Sequence, residues 1–354
     1  MYFYNQGKKR FFMLRRKAFL TLIKSRGMID AGKRAGMKRI FIINPVAGPK
    51  NSADLLRPMI AAAAKTCPDP VEVLLTTHAG HAGEIAERCA DTGEPVAVYA
   101  CGGDGTLNEV IQVAAGKPGV MVGCVPCGSG NDFVRNFGSR EAFLDIQAQL
   151  EATPCRIDTI HTEYGYSAAI CAAGLDAKVA YGIPKFKRLP GCGGSMAYKL
   201  SIVEVFFGPL TSLLRVVLDG REQVGEYLMA AICNGRVYGG GYSAAPYAMM
   251  DDGWLDVVLV RTIPRLKIPG FLAKYKDGLH LTEDGQVQPD FRPYMTFCRV
   301  KSVTLENLGK NPLIVTLDGE CAPRKVLHAE ICPKNLTVLL PKNLEPARMA
   351  VQRP

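Results

Sequence analysis

A strand, a glycine-rich loop and a helix follow one another in VAVYACGGDGTLNEV, residues 96–110, and no other stretch constrains the fold as strongly. An apolar run enters a loop that contains Gly102, Gly103 and Gly105. Apolar residues then recur at helical spacing from Leu107 onward. This arrangement binds phosphate, because glycines let the backbone approach the ligand and the free N–H groups of the first helical turn point at negative charge.

Asp104 and Thr106 lie inside this loop. A carboxylate repels a polyphosphate unless a cation lies between them, so we predict that Asp104 organises Mg²⁺, directly or through water. The simpler interpretation of the same glycines is a tight connection between a strand and a helix. The string GGDGT followed by Asn108 and Glu109 is much more specific than a glycine-rich turn alone.

A second glycine loop, CGSGND, repeats these features. Gly128 and Gly130 permit close approach of the backbone, and Ser129 offers a hydroxyl. Asn131 can hydrogen-bond ribose or phosphate, and Asp132 adds another carboxylate. The other interpretation of Asn131 and Asp132 is the N-cap of a following helix, and the two roles are compatible.

Strand and helix patterns alternate through the first part of the chain. The predicted strands are 39–45, 71–77, 96–100 and 120–126, and the predicted helices are 52–65, with Ser52 as N-cap, 81–91 and 107–115. This alternation predicts an α/β domain with a parallel sheet and helices on both faces. Ligands bind at the carboxyl ends of such strands. Four segments lie at those ends, namely both glycine loops, Asn44–Gly48 and Thr76–Thr77. The sequence therefore predicts one nucleotide site there.

The pattern changes after residue 156, where short apolar runs are separated by Gly, Asp and Asn. These runs predict an antiparallel, β-rich, sandwich-like second domain, interrupted by one helix near residues 195–208. The predicted organisation has four parts. A basic N-terminal extension covers residues 1–36, and an α/β nucleotide-binding domain covers residues 37–156. A β-rich substrate domain covers residues 157–327, and a C-terminal segment, 328–354, returns toward the first domain.

Positive charge is concentrated at the N-terminus. Residues 1–39 contain 12 of the 43 Lys and Arg residues and one of the 33 acidic residues, so the rest of the chain is nearly balanced. Basic pairs alternate there with Phe, Leu and Ile, which is typical of an amphipathic element on anionic lipid. There are two other interpretations of this segment. It is a solvated tail, or it is an upstream extension absent from the cellular protein, because Met37 directly precedes KRIFIINP. No apolar run reaches the ~18 residues that span a bilayer.

The 12 cysteines are scattered, several of them in apolar strands, which is typical of reduced thiols in the cytoplasm. Cys124 and Cys127 lack the second pair that a tetrahedral zinc site needs. His78 and His81 have no acidic companion at a useful spacing, so we expect them to cap a helix or to shape a loop.

The string CGGDGTLNEV resembles the signature of the diacylglycerol kinase catalytic domain, shared by bacterial soluble lipid kinases and by sphingosine and ceramide kinases. Further motifs of that family follow its order along the chain. They are NPVAG (44–48), TTHAGHA (76–82), PCGSGNDF (126–133) and DGE (318–320). The resemblance extends over roughly residues 37–343, almost everything except the tails.

The resemblance implies ATP and Mg²⁺ as cofactors, with Asp104 and Asp132 sharing a water-linked Mg²⁺ network at the γ-phosphate. The implied cofactor-binding residues are Asn44, Pro45, Gly48, Thr77, Gly102, Gly103, Asp104, Gly105, Thr106, Asn108, Glu109, Ser129, Gly130, Asn131 and Asp132. In the same family the Glu of DGE is the proton acceptor, which implies Glu320 as base and Asp318 as its positioner or as a Mg²⁺ contact. The other interpretation of Asp-Gly is an ordinary hairpin turn.

The string MMDDGWLDV also resembles a family motif, in which the acidic residue before Gly holds a structural Mg²⁺. The resemblance implies Asp252 as this ligand, with Met249 and Trp254 contributing backbone oxygen. It also implies that Asp176 joins the carboxylate network and that the glycine-rich stretch 234–246 lines the cleft near the lipid headgroup.

The resemblance implies an ATP-dependent lipid kinase that phosphorylates diacylglycerol to phosphatidic acid. The alternatives are a kinase of a sphingoid base or another glycerolipid, an NAD kinase-like enzyme, which also contains GGDGT before a β-rich domain, and a non-catalytic lipid-binding homologue. NPVAG and DGE favour the lipid family, and the intact Asp104, Asp132 and Glu320 favour an enzyme. We expect a cytoplasmic protein with peripheral membrane contact and no nucleic-acid partner, and a homodimer stays open.

Overall fold

The computed structural model describes residues 36–48, 51–128, 130–189 and 194–344. The basic segment before Gly36, the predicted site residue Ser129 and the last ten residues therefore lie outside the described residues. The chain divides into an N-terminal unit, which runs up to Ile157 and resumes at Leu336, and a C-terminal unit, Asp158–Asn335. The predicted C-terminal segment begins at residue 328, whereas the chain re-enters the first unit at Leu336.

Parallel strands form the sheet of the N-terminal unit, in the order β2-β1-β3-β4-β15. The strands are β1 (Lys38–Ile43), β2 (Val71–Leu75), β3 (Val96–Gly102), β4 (Val120–Pro126) and the end of β15 (Val326–Leu340). The helices are α1 (Ser52–Ala64), α2 (His81–Ala90), α3 (Asp104–Ala114), α4 (Asp132–Arg135), α5 (Arg140–Leu144) and α6 (Ile146–Leu150). Apolar residues of β1, β3 and α1 form the core, where the rings of Phe41 and Tyr99 stack 4.3 Å apart.

Two helix starts differ from the prediction. Asn51, not Ser52, caps α1, because its side-chain oxygen accepts the N–H of Ala53 at 3.0 Å. Ser52 instead ties the helix to the loop after β1: its hydroxyl donates to the carbonyl of Asn44 at 2.6 Å, and its N–H donates to Pro45 at 3.3 Å. Helix α3 begins at Asp104 rather than at Leu107, so the first glycine loop leads directly into a helical turn.

The C-terminal unit is β-rich and its strands pair antiparallel, in the order β14-β13-β7-β9-β8-β12-β15, with β10 pairing both β9 and β11. Its strands are β5 (Thr153–Thr162), which enters from the first unit, β6 (Gly165–Ser167), β7 (Ile170–Gly174), β8 (Ser212–Leu218), β9 (Arg221–Cys233), β10 (Leu255–Arg261), β11 (Met295–Val300), β12 (Ser302–Asn307), β13 (Leu313–Leu317), β14 (Glu320–Arg324) and β15. The helices are α7 (Leu175–Lys187), α8 (Gly194–Phe207) and α9 (Ile268–Lys276), with a 3₁₀ turn at Arg265–Lys267.

The central strands of this unit bury both faces. Ala231 and Val258 pack into one apolar cluster with Tyr275. Their chain neighbours Ile232 and Val257 pack into a second cluster on the opposite face, because successive side chains of a strand point to opposite sides. The predicted α/β domain and β-rich second domain are therefore both present. Within the described ranges, no helix is long and apolar enough to cross a bilayer.

Candidate active site

The two glycine loops lie in direct contact in the N-terminal unit. The N–H groups of Cys127 and Gly128 both donate to the carbonyl oxygen of Gly102, at 2.8 and 3.1 Å. A Cβ on Gly128 would lie 2.5 Å from the Cα of Gly103, closer than real Cβ atoms approach other atoms. Glycine at this position therefore allows the ends of β3 and β4 to share one backbone surface.

Replacement of Gly128 by Ala should push the two loops apart, because the new Cβ would meet backbone rather than a flexible side chain. We expect kcat/KM of the phosphoryl transfer that the sequence predicts to fall about 10²-fold, the loss typical of a ~1 Å displacement at a reacting centre. Gly270→Ala is the matched control, since nothing lies within 4 Å of its added Cβ. Equal rates for the two variants would contradict this account of the loops.

Asp104 joins the two loops through its carboxylate. Its Oδ1 accepts the backbone N–H of Asp132 at 2.9 Å and lies 3.5 Å from the backbone nitrogen of Phe133. Its Oδ2 lies 2.5 Å from the position that a Cβ on Gly130 would occupy. The carboxylate of Asp132 lies 3.4 Å from Nε of Arg135. The structure thus brings Asp104, Gly130 and Asp132 together.

Asp104 and Asp132 are candidate ligands of a magnesium ion, with the Asp132 carboxylate paired to Arg135 in this structure. Mg²⁺ in phosphoryl-transfer sites takes one or two carboxylates and leaves its other positions to phosphate oxygens and water. Both aspartates belong to the first turn of a helix, α3 or α4, where unpaired N–H groups stabilise negative charge. Asp104 and Asp132 are therefore the residues that would hold the ion together with a nucleotide.

The loop after β1 packs against the same surface. Asn44 donates from Nδ2 to Thr106 Oγ1 at 3.1 Å, and its Oδ1 accepts the N–H of Val46 at 3.2 Å. Gly48 has a φ of 89°, and a Cβ there would overlap the carbonyl oxygen of Cys127. Three loops, after β1, β3 and β4, thus meet at the carboxyl edge of the sheet, where ligands of such sheets bind.

Glu109 secures the loop before α2. Its Oε1 accepts the N–H of Gly80 at 2.8 Å, and its Oε2 accepts the N–H of Ala82 at 3.0 Å. The exposed Thr77 precedes this loop, and its Oγ1 lies 3.1 Å from Nδ1 of His81. Because both oxygens of Glu109 hold backbone, the structure gives this residue a positioning role.

His78 and His81 stack with their ring centroids 4.7 Å apart. Nε2 of His78 lies 3.1 Å from a carboxylate oxygen of Glu84, and this hydrogen bond lowers the pKa of Glu84. The spacing along the chain did not indicate this contact, which forms because the turn before α2 folds His78 back onto the first turn of the helix. The expected loop role holds for His81, whose Nδ1 accepts the N–H of Thr77 at 3.1 Å.

Two buried amides lie in or beside the glycine loops. Asn131 adopts a left-handed backbone conformation, with φ of 55°, and its side chain donates to the carbonyl of Gly128. Asn108 accepts a hydrogen bond from Gln112 at 3.2 Å on α3, and Gly105 lies in the first turn of the same helix. Both asparagines are buried; Asn131 holds loop backbone, whereas Asn108 bonds another side chain of α3.

The DGE string forms a two-residue hairpin turn between β13 and β14 in the C-terminal unit. Asp318 and Gly319 both have positive φ, 47° and 99°, which is the requirement of a type I′ turn. Both interpretations of this string, turn and carboxylate pair, are thus compatible. Glu320 is the first residue of β14, pairs with Leu317, and its side chain is exposed.

Asp318 anchors this turn. Its carboxylate accepts the backbone N–H groups of Ala168, Ala169 and Ile170 at 2.6, 3.0 and 2.9 Å. Burial raises its pKa, and the three backbone hydrogen bonds act in the opposite direction. A carboxylate that is engaged in this way fixes the position of the neighbouring Glu320, which is the positioning role among the two that the resemblance implies.

Asp176 lies in the first turn of α7 and is hydrogen-bonded to a tyrosine that sequence reasoning did not single out. Tyr238 Oη donates to Asp176 Oδ2 at 2.6 Å, and the N–H of Ala177 donates to Oδ1 at 2.8 Å. Burial raises the pKa of Asp176 to about 6, although these hydrogen bonds lower it. Tyr238 belongs to the glycine-rich stretch 234–246. An aromatic residue among glycines was the one sequence feature that could have indicated a role for it.

The ionisation of Asp176 should make stability depend on pH. Its pKa is about 6 in the folded protein and about 4 in an unfolded chain, so its stabilising contribution is complete below pH ~4 and is lost as the pH rises through ~6. We expect the Tm of Asp176→Asn to rise relative to wild type between pH 4 and 7. Tyr238→Phe should move this change to higher pH, since it removes a hydrogen bond that lowers the pKa. A Tm difference that does not vary with pH would contradict the assignment.

The predicted metal ligand Asp252 lies in a turn where acidic and basic side chains are close together. Burial and, to a smaller extent, the charge of Asp252 raise the pKa of Asp158, Asp251 and Asp256. One carboxylate oxygen accepts the N–H of Trp254 at 3.1 Å, and the other contacts Arg299. Lys301 donates to the carbonyl of Gly253 and lies 3.7 Å from the centroid of the Trp254 ring. Arg299 thus contacts one carboxylate oxygen that a cation would use, and Lys301 contacts a backbone carbonyl beside it, among the carboxylates that would favour a cation.

No three His, Cys, Asp or Glu side chains within the described ranges are grouped so that they could hold a metal ion. A structural Mg²⁺ at Asp252, Met249 and Trp254 therefore stays a prediction, and we derive no step from it. The contacts of this turn with Arg299 and Lys301 could not be predicted from the sequence, because they join residues that are far apart along the chain.

Two family models match overlapping parts of the chain. The diacylglycerol kinase catalytic domain matches residues 38–178, and the YegS C-terminal NAD kinase beta sandwich-like domain matches residues 169–340. The first match contains the three loops described above, and the second contains the DGE turn.

Curated relatives match over most of their length. A probable YegS-like lipid kinase of Pseudomonas aeruginosa is 30% identical over 270 residues, which cover 76% of this chain and 84% of the relative. A probable YegS-like lipid kinase of Chromohalobacter salexigens is 28% identical over 275 residues, with coverage of 76% and 84%. A diacylglycerol kinase of Mycobacterium tuberculosis is 28% identical over 255 residues, with coverage of 70% and 77%.

Solved structures share the fold. The crystal structure of a putative diacylglycerol kinase from Bacillus anthracis covers 89% of this chain and 100% of its own, with a TM-score of 0.66 and 22% sequence identity. A second one from the same organism has a TM-score of 0.63 at 21% identity, and covers 88% of this chain and 100% of its own. These similarities confirm the predicted fold class.

Proposed function

The chain belongs to the diacylglycerol kinase catalytic domain family of lipid kinases, and we propose that it transfers the γ-phosphate of ATP to the free hydroxyl of diacylglycerol, giving phosphatidic acid. One observation carries the proposal: the Asp104 carboxylate accepts the backbone N–H of Asp132, which joins two glycine loops at the carboxyl ends of parallel strands. Backbone N–H groups and a carboxylate pair together are what phosphoryl transfer requires of a protein, namely a cradle for the phosphates and a place for their counter-ion.

The N-terminal unit would bind the nucleotide. The glycines at the ends of β3 and β4 leave backbone open to a polyphosphate, and the first turn of α3 faces it with N–H groups. Mg²⁺ supplies neutralisation of charge on the phosphates when it is bound. Asn44 and Thr106, which hydrogen-bond each other at 3.1 Å, keep the loop after β1 at the same edge.

The C-terminal unit would supply the base. Glu320 accepts the proton of the acceptor hydroxyl, whose oxygen forms a bond to the γ-phosphorus of ATP. The bond between that phosphorus and the bridging oxygen breaks, and ADP leaves with its electron pair. Asp318 keeps the turn in place through its three backbone hydrogen bonds and does not need to touch the reacting atoms.

A second acceptor class deserves a direct test because of one observation. The family model that matches residues 169–340 carries the description NAD kinase beta sandwich-like, so a soluble dinucleotide is a competing acceptor. The curated relatives, which are lipid kinases and a diacylglycerol kinase by name, support the lipid class instead.

We further propose that the protein acts in the cytoplasm at a membrane surface, where its lipid substrate lies. All 11 cysteines in the described part of the chain are free thiols, which supports a reducing compartment. The basic N-terminal segment is one proposed membrane contact.

The acceptor can be identified with radiolabelled ATP and separate mixed micelles of diacylglycerol, monoacylglycerol, sphingosine, ceramide and phosphatidylglycerol. We expect chloroform-soluble label with diacylglycerol, and mass spectrometry should identify the product as phosphatidic acid. Label with another lipid alone would replace the acceptor and keep the class. Absence of label from every lipid would reject the lipid-kinase proposal.

A further inference from the structure

Helix α8 presents an apolar face to solvent. Met196, Val203 and Phe207 are 50%, 52% and 76% exposed. Their spacing of seven and then four residues places them on one side of a helix, one above the other. Large apolar side chains on a solvated helix face normally signal something that covers them.

The opposite face of α8 is buried within the C-terminal unit, so the orientation of the helix is fixed. Ala197 and Ser201 are fully buried, and the Ser201 hydroxyl donates to the carbonyl of Val179 on α7 at 2.6 Å. A Cβ on Gly182 would collide with the same hydroxyl, so the two helices are in close contact. A helix that is apolar on its solvent side as well as on its buried side is typical of an element with a second apolar surface against it.

The 3₁₀ turn at Arg265–Lys267 extends this face. The guanidinium of Arg265 donates to the carbonyls of Phe206 and Gly208 at 2.7 and 2.8 Å, which holds the turn at the C-terminal end of α8. Leu266 is 94% exposed. We call Met196, Val203, Phe207 and Leu266 the apolar stripe.

The segments that carry and adjoin the apolar stripe also carry exposed basic side chains. The exposed basic residues on α7, just after it, on α8 and in the 3₁₀ turn are Lys185, Lys187, Arg188, Lys199, Arg265 and Lys267. In the same segments the exposed acid is Glu204, which pairs with Lys185. Apolar and basic side chains on adjoining segments match an anionic bilayer, where acyl chains lie next to negatively charged headgroups.

We infer that the apolar stripe docks the C-terminal unit on the surface of an anionic lipid bilayer. The inference rests on the proposed function, because an acceptor with two acyl chains resides in the bilayer and the kinase must reach it there. The apolar side chains enter the boundary between headgroups and acyl chains, and the Lys and Arg residues of these segments lie at the headgroups. This contact belongs to the folded C-terminal unit and is separate from the basic N-terminal segment.

Vesicle sedimentation without ATP tests the docking directly. The full-length protein is mixed with vesicles of phosphatidylcholine and phosphatidylglycerol, and the bound fraction is measured for wild type and for M196Q/V203Q/F207Q. The matched control is L213Q/V224Q, which replaces two apolar side chains of the same unit that are 40% and 51% exposed, on β8 and β9. All variants keep the basic N-terminal segment, so its contribution cancels.

We expect the triple variant to lose about 1,000-fold in vesicle affinity, roughly tenfold for each of the three apolar side chains withdrawn from the bilayer. The control should bind as wild type does. K187Q/R188Q should weaken binding to vesicles with phosphatidylglycerol and leave binding to pure phosphatidylcholine unchanged, because only the headgroup attraction is lost. Circular dichroism melting should give all variants the wild-type Tm, since the replaced side chains are exposed.

Wild-type vesicle affinity of the triple variant would overturn the inference. A second copy of the chain is the competing occupant of the apolar stripe. If the wild type is a dimer in solution, the triple variant a monomer and vesicle binding equal, the stripe is a homodimer interface and the inference fails. Activity in detergent micelles separates this question from the proposed function. The triple variant should keep the wild-type rate of lipid phosphorylation in micelles. If the wild type phosphorylates no lipid there, the lipid-kinase proposal fails while the vesicle result still stands.

Discussion

Replacement of Asp104 by Asn should lower kcat of phosphoryl transfer by about 10²–10³-fold or more, the usual loss when a group that stabilises developing charge is removed. Asn keeps a side-chain oxygen, which can still accept the N–H of Asp132 that Asp104 Oδ1 accepts at 2.9 Å. The fold should therefore survive while the negative charge that holds the counter-ion is lost. Initial rates with ATP and diacylglycerol, together with thermal melting, measure the two effects separately.

Asp104→Ala distinguishes charge from capping. This variant should lose the same activity and in addition about 1 kcal/mol of stability, because it also removes the hydrogen-bond acceptor at the start of α4. Asp145→Asn is the matched control: Asp145 caps α6 in the same unit by accepting the N–H of Ala148 at 3.0 Å. It should turn over like wild type. Full activity of Asp104→Asn would remove Asp104 from the site.

Glu320→Gln is expected to give the second large effect. General bases contribute typically about 10²–10⁴-fold, and the amide cannot take the hydroxyl proton, so kcat should fall by that amount. The side chain is exposed at the start of β14, so we expect little change in Tm. KM for ATP should stay nearly constant, because the proposed nucleotide contacts all belong to the N-terminal unit.

Asp318→Asn should behave differently from Glu320→Gln. An amide presents N–H groups to the backbone N–H groups of Ala168, Ala169 and Ile170, so some of these donors lose their acceptor at a cost of about 1–3 kcal/mol. Activity and Tm should therefore fall together. Glu330→Gln, on an exposed carboxylate of β15, is the control. A Glu320→Gln enzyme with a wild-type rate would assign the base to another residue.

Local patterns were sufficient to predict most of the α/β part. The strand Val120–Pro126 has the predicted bounds, and α2 differs only by its last residue, because apolar periodicity reports directly on burial. The start of α3 was predicted too late, at Leu107, because Asp104, Gly105 and Thr106 look like loop residues by propensity. Their helical conformation is imposed by the packing of two glycine loops that are distant in sequence.

Contacts between distant residues limit what the sequence can say about the site. The residues of the three nucleotide loops could be named because each loop follows a predicted strand. Two other contacts depend on tertiary packing between residues 27 to 150 positions apart. Glu109 holds Gly80 and Ala82, and Asp318 holds Ala168–Ile170. The same holds for Asp252, which contacts Arg299 on β11, and for Gly253, whose carbonyl accepts from Lys301 just after β11.

The most direct test of the central claim is the destination of the γ-phosphate when wild-type protein receives both acceptor classes at once. Radiolabelled ATP and Mg²⁺ are added to micelles of diacylglycerol with NAD in the aqueous phase, and label is counted after chloroform extraction. We predict that label enters the chloroform phase as phosphatidic acid. Label that stays in the aqueous phase as phosphorylated NAD would contradict the lipid kinase and leave the phosphate site of the N-terminal unit in place.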